Sequence, residues 1–145
     1  MSEDFDPSSP DSYGYWIDES VRYADVDSLG HVNNNAFGVY FEDIRVHFLT
    51  ELEIFSAAQG RMAVVARTVN EFKREMLYPA RFRIGLRIEG IGNSSITLTC
   101  AVFHDGNLIA TQQAVCVIVD AATHRPISIT ADQRQQLMHR GRPAA

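Results

Sequence analysis

Cysteine is scarce. Cys100 and Cys116 are the only two, and both fall inside apolar, strand-like runs. They lack the C-x-x-C spacing of a zinc site and read as buried free thiols in a reducing compartment. His47, His104, His124 and His139 show no ligand spacing either, so no metal is expected. No apolar run approaches the ~18 residues of a membrane span, which excludes a membrane partner of that kind. The N-terminus is acidic and has no apolar h-region, so a secretory signal is excluded and a cytoplasmic location is expected. Positive charge is in deficit, with 13 Lys and Arg against 18 Asp and Glu, a formal net charge of -5. That argues against nucleic acid as the main partner. What is present is a chain of 145 residues, 46% hydrophobic, the size and composition of one globular domain.

Residues 1–14 are rich in Asp, Ser and Pro and read as a flexible acidic leader. Tyr15 to Tyr23 reads as a first strand. Phe37, Phe41, Ile44 and Phe48 then recur at spacings of four, three and four, and Tyr40, Leu49 and Leu52 widen the stripe. This is a helix with a broad buried face, running to about Leu52. Gly38 inside it suggests close approach to a sheet. Arg45 and His47 fall toward the far face, as solvated or paired charges. Ile54 to Ala58 reads as a short second helix ended by Gly60.

Strands follow. Met62 to Met76 is long and breaks near Ala66-Arg67, and Tyr78-Pro79 marks a turn. Arg81 to Ile88 alternates, with Phe82, Ile84, Leu86 and Ile88 on one face. Ser95 to Phe103 alternates again. His104-Asp105-Gly106-Asn107 is a hairpin signal leading into Leu108 to Val119. Residues 15–130 therefore form one α+β domain, a helix packed on one antiparallel sheet. Residues 131–145 are a polar, weakly helical C-terminal tail.

Between the first strand and the helix lies Val21-Arg22-Tyr23-Ala24-Asp25-Val26-Asp27-Ser28-Leu29-Gly30-His31-Val32-Asn33-Asn34-Asn35. This stretch is too polar for core. Asn33 or Asn34 can cap the helix. A helix N-terminus presents unpaired N–H groups and a positive dipole end, and carboxylates beside it make a site able to polarise a carbonyl. Taken alone, Asp27 fits a turn residue that bonds its own backbone. Asp25 fits a loop anchor that accepts backbone N–H bonds, and His31 a structural hydrogen-bonder.

The run Asp25-Val26-Asp27-Ser28-Leu29-Gly30-His31-Val32-Asn33-Asn34, followed by Tyr40-Phe41-Glu42-Asp43-Ile44-Arg45, resembles acyl-CoA thioesterases of the 4-hydroxybenzoyl-CoA thioesterase type. Their pattern is D-x-D-x-x-G-H-V-N-N, then Y/F-x-E-x-x-R. The resemblance covers roughly Ile17 to Ile129. It implies a hotdog fold, in which an antiparallel sheet wraps one long central helix. It also implies a homodimer or homotetramer with active sites at subunit interfaces, hydrolysis of an acyl-CoA or acyl carrier protein thioester, and no cofactor. The family's catalytic carboxylate falls on Asp27, as nucleophile or as general base. The amide that polarises the carbonyl falls near Asn34, with Asn33 beside it. His31 matches the His of the related plant acyl carrier protein thioesterases, where Leu29 stands in place of their Asn. Asp27, His31 and Asn34 are thus the candidate catalytic residues. Asn33, Glu42, Arg81 and Arg83 are the candidate substrate contacts. Glu42 could instead orient a neighbour or pair with Arg45. Lys73, Arg74 and Arg87 join Arg81 and Arg83 as cations that could meet coenzyme A phosphates. The rival readings are a hotdog binding or scaffold protein without turnover, and a hydratase, whose usual motif is not evident.

Overall fold

The computed structural model describes residues 4–144. Met1, Ser2 and Glu3 of the expected leader and Ala145 of the tail lie outside the described residues. The helix whose stripe was read from the 4-3-4 spacing is α1, Asn34–Glu51, and Phe37, Tyr40, Phe41, Ile44, Phe48 and Leu49 are buried along it. Each such side chain contributes about 1.5–3 kcal/mol when fully buried. Asn33 caps α1, its Oδ1 accepting from the Asn35 amide at 2.9 Å, a contact of ~1 kcal/mol.

Five antiparallel strands form the sheet: β1 (Tyr15–Ser20), β2 (Arg61–Phe72), β3 (Arg81–Ile91), β4 (Ser95–His104) and β5 (Asn107–Asp120). Their spatial order is β1-β3-β4-β5-β2. Phe82, Ile84, Leu86 and Ile88 of β3 and Ile96, Leu98, Cys100 and Val102 of β4 are buried in one cluster with the α1 face. Both cysteines are buried free thiols. The expected break near Ala66 is a bulge: the pairing of β2 with β5 steps from Val65 to Arg67 without interrupting the strand. The strand itself ends at Phe72; the Lys73 and Arg74 amides both donate to the Ile109 carbonyl of β5, and the chain then leaves the sheet. That departure shapes the site described below.

Three local expectations change. Arg45 is not a far-face charge. It is only 6% exposed, because its guanidinium turns under α1 to donate to Gln112 Oε1, and Gln112 in turn donates to Asn70 at 2.8 Å. Gly38 meets no sheet; a Cβ built there has no neighbour within 4 Å. The Ile54–Ala58 helix is a short 3₁₀ turn at Ala57–Gln59, ended by Gly60 at φ 70°.

The described residues of the leader pack on the sheet, and so do those of the tail. Tyr13 is buried against Trp16 and Phe103, with ring centroids 5.9 and 5.8 Å away. Phe5 lies under the Arg87 guanidinium at 4.5 Å. These few aromatics suffice because Gly85 leaves a slot in β3, opposite Trp16. A Cβ on Gly85 would stand 2.9 Å from Tyr13 and 3.0 Å from Trp16. Gly85→Ala is therefore expected to lower stability by about 1–3 kcal/mol through overpacking, measured by urea unfolding. In the tail, a capping box of Thr130 and Gln133 starts α2 (Ala131–Arg140), and Leu137 is fully buried. Gly141 then accepts the Ile88 amide at 2.8 Å. Among the described residues, no helix is long and apolar enough to cross a membrane.

Candidate active site

The loop between β1 and α1 closes on itself. The Asp27 amide donates to the His31 carbonyl at 2.8 Å, Val26 pairs with Val32, and the Asn33 amide donates to the Asp25 carbonyl at 2.8 Å. Gly30 takes the reversal at φ 81°, a left-handed conformation that favours glycine. Asp27 Oδ1 accepts from the amides of Leu29 at 2.9 Å and His31 at 3.1 Å. The turn-residue reading of Asp27 is thus correct for one oxygen. Oδ2 has no hydrogen-bond partner among the described residues.

Beside it opens a cleft of ≈ 460 Å³ whose walls include Asp27, His31, Asn33, Asn34, Phe37 and Phe72. Asn34 is the first residue of α1, and its amide makes no hydrogen bond among the described residues. The helix therefore begins at the cleft's wall with an unpaired donor and its positive dipole end. His31 Nε2 lies 3.4 Å from Glu75 Oε2. Lys73, Arg74, Glu75 and Met76, the stretch that leaves β2, complete the wall. Lys73 is paired with Glu71 at 3.1 Å, whereas Arg74 has no carboxylate partner among the described residues.

Asp25 is buried at 5% exposure and does not line the cleft. Burial pushes its pKa up, but hydrogen bonds from Arg22 and Tyr40 outweigh burial and hold the carboxyl below its ordinary value. Its carboxylate accepts the Arg22 amide at 2.9 Å, the Arg22 guanidinium at 2.9 Å, and the Tyr40 hydroxyl at 2.6 Å.

Asp27, His31, Asn33 and Asn34 are brought together. Glu42, Arg81 and Arg83 are not among the cleft's walls. Glu42 borders a separate cavity of ≈ 160 Å³ with Arg45, Phe55 and Cys116. It also makes no ion pair with Arg45, which turns to Gln112 instead. Arg81 and Arg83 border a groove beside Trp16, where Arg83 stacks at 4.3 Å from the ring centroid and lies 3.6 Å from Asp18. Alternation along β3 placed these arginines on the outward face but not near the loop. Arg87 points outward too and is covered by Phe5 and by its bond to the Ser12 carbonyl at 3.0 Å. Glu75 was not anticipated; only the pairing of His31 with Leu77 brings it near, and no local pattern announces that pairing. Among the described residues, no group of three or more His, Cys, Asp or Glu could hold a metal ion.

A five-stranded antiparallel sheet in this order, packed on one long helix whose N-terminus meets the loop, is the hotdog fold. The chain belongs to the thioesterase-like superfamily, whose model matches residues 21–137. It is similar to the uncharacterized protein YsmA of Bacillus subtilis, 28% identical over 129 residues and covering 88% of each chain. Among solved structures it is similar to the PA5185 protein of Pseudomonas aeruginosa, with a TM-score of 0.82 and 26% identity, covering 92% of this chain and 96% of that one. It is also similar to a thioesterase from Thermus thermophilus complexed with coenzyme A and Zn, with a TM-score of 0.77 and 27% identity, covering 88% and 95% of the two chains.

Proposed function

We propose that the protein is an acyl-CoA thioesterase, releasing free acid and coenzyme A from a thioester. The observation that supports this most is the pairing of a half-committed carboxylate with an uncommitted amide. Two backbone donors hold Asp27 Oδ1, Oδ2 is left open, and Asn34, whose amide is unpaired among the described residues, lines the same cleft. In one route Oδ2 attacks the carbonyl carbon, the C–S bond breaks, and the departing thiolate takes a proton from water. Water then hydrolyses the mixed anhydride. In the other route Asp27 takes a proton from the water that attacks the carbonyl carbon. The tetrahedral intermediate then expels the thiolate as the C–S bond breaks, and the thiolate takes up that proton. Both routes place negative charge on the carbonyl oxygen, where the Asn34 amide and the helix dipole stabilise it without reorganising. Arg74, with no carboxylate partner among the described residues, is the cation best placed to meet a coenzyme A phosphate. The similarity to a thioesterase complexed with coenzyme A supports that carrier.

The same Asx-type contacts also favour a second reading, a hotdog protein that binds acyl-CoA without turnover, because Asp27 already has a structural duty. Thiol release from a panel of acyl-CoAs separates the two. Release supports the enzyme, and saturable binding with no release on any acyl group favours the binder.

We also propose that the working unit is a homodimer, or a tetramer built from such dimers, joined along β2. This strand is twelve residues long and, among the described residues, pairs on one side only, with Val65 at 47% and Phe72 at 44% exposure. A long apolar edge of this kind invites another strand. Placing a lysine there blocks such pairing. The double variant Val65→Lys/Val69→Lys is expected to sediment at half the mass of the wild-type protein. An unchanged sedimentation coefficient would rule out β2 as the joint.

A further inference from the structure

Tyr40 does not line the cleft, yet among the described residues it is the one side chain that hydrogen-bonds the carboxylate loop to α1 beyond its capping turn. Its ring is fixed by Phe82 and Phe37, with centroids 4.7 and 5.7 Å away. Its hydroxyl donates to Asp25 at 2.6 Å. Asp25 in turn receives the Asn33 amide on its carbonyl at 2.8 Å. The loop is a ribbon whose two legs meet at this last bond. One leg carries Asp27, and the other becomes the N-terminus of α1.

We propose that Tyr40 is a positioning residue: through Asp25, it holds the Asp27 carboxylate in register with the first free amide of α1. The kinetic consequence rests on the thioesterase reading; the tether does not. Arg22 also bonds Asp25, but its side chain is 64% exposed, so its contribution is screened and its position loosely defined. Tyr40 is buried and forms an O–H···O⁻ bond, the stronger kind. Burial and the neighbouring carboxylate push its phenol well above the usual range, so it remains a donor at neutral pH. Without the hydroxyl, the Asp25 carboxylate keeps only partners from its own side of the loop. The ribbon then keeps its backbone bonds but loses its side-chain bond to the body of the helix, and small displacements of a reacting group are costly in rate.

The test is Tyr40→Phe, which keeps the ring packing, compared with wild type in thiol release from acetyl-, hexanoyl- and benzoyl-CoA and in amide hydrogen exchange. A fall in kcat of about tenfold with KM within about twofold is expected. The Leu29 and His31 amides, which cap Asp27, are expected to exchange about fivefold faster. A merely structural role would lower the folded fraction and leave kcat per folded molecule unchanged. Asp25→Asn, which keeps an acceptor for the phenol but removes the charge, is measured alongside and is expected to change both quantities in the same direction. Unchanged exchange at Leu29 and His31 in both variants, or a Tyr40→Phe kcat equal to wild type, overturns the proposal. A wild-type protein that releases no thiol from any of the three substrates overturns the thioesterase reading alone, and the exchange data then decide the tether.

Discussion

Replacing Asp27 with Asn is expected to slow thiol release from acyl-CoA by on the order of 1,000-fold, within the range spanned by loss of a general base and loss of a nucleophile. Asparagine is the informative substitution because Asp27 has two separable duties. Its Oδ1 accepts from the Leu29 and His31 amides, and an amide oxygen can accept the same two bonds. The turn is therefore kept while the charge is removed. Asp27→Ala loses both duties, so a rate defect in that variant alone would not distinguish chemistry from a collapsed loop. The measurement is kcat/KM by thiol detection, with the melting temperature of each variant recorded. If Asp27→Asn stays within tenfold of an active wild type, the carboxylate does no chemistry and the thioester is hydrolysed with a base or nucleophile other than Asp27. Equal losses in kcat and kcat/KM would place the effect in the transition state and not in ground-state binding.

Local chemistry wrote the elements on which the site is mounted. The 4-3-4 spacing of Phe37, Phe41, Ile44 and Phe48 marks a buried helical face whatever it packs against, and the alternation in β3 and β4 marks two strands with one face inward. Asn33 as cap and Gly30 as turn follow from residue type. Contacts distant in sequence were not legible. Arg45 is polar and reads as exposed, yet it is buried because Gln112, 67 positions later, supplies an acceptor. Tyr13 stands between Ser12 and Gly14 in a polar leader, and its burial depends on the absence of a side chain at Gly85. The cations behaved similarly. Arg81 and Arg83 are conspicuous in an alternating strand, but the sheet order puts that strand beside β1, where Asp18 and Trp16 meet Arg83. Arg74 and Glu75 were absorbed into a strand read as running to Met76; it ends at Phe72 and turns them toward the loop. The Asp25–Tyr40 bond joins two residues of the recognised motif, but only the helix and loop geometry reveals which atom of Asp25 is used.

Asn34→Pro deletes the other half of the proposed chemistry, the backbone N–H at the start of α1. The group of interest is a backbone N–H, which ordinary substitution cannot remove. Proline removes it, and this position tolerates proline for two reasons. Asn34 is the first residue of α1, where no intrahelical bond uses the amide and proline is favoured. The preceding residue, Asn33, already has φ -64° and ψ 139°, the extended conformation that proline requires of its predecessor. The Asn33 side chain can go on capping the Asn35 amide. Helix content by circular dichroism is thus expected to be unchanged. If the Asn34 amide carries the developing oxyanion, kcat falls by about 100- to 1,000-fold, the loss seen when one such donor is removed elsewhere. Asn34→Ala serves as the control: it changes the side chain, keeps the N–H, and isolates the side chain's share. A proline variant as active as Asn34→Ala would mean that the carbonyl is polarised elsewhere. A proline defect confined to KM would mean that the amide grips the ground-state thioester and contributes nothing further as the bond breaks.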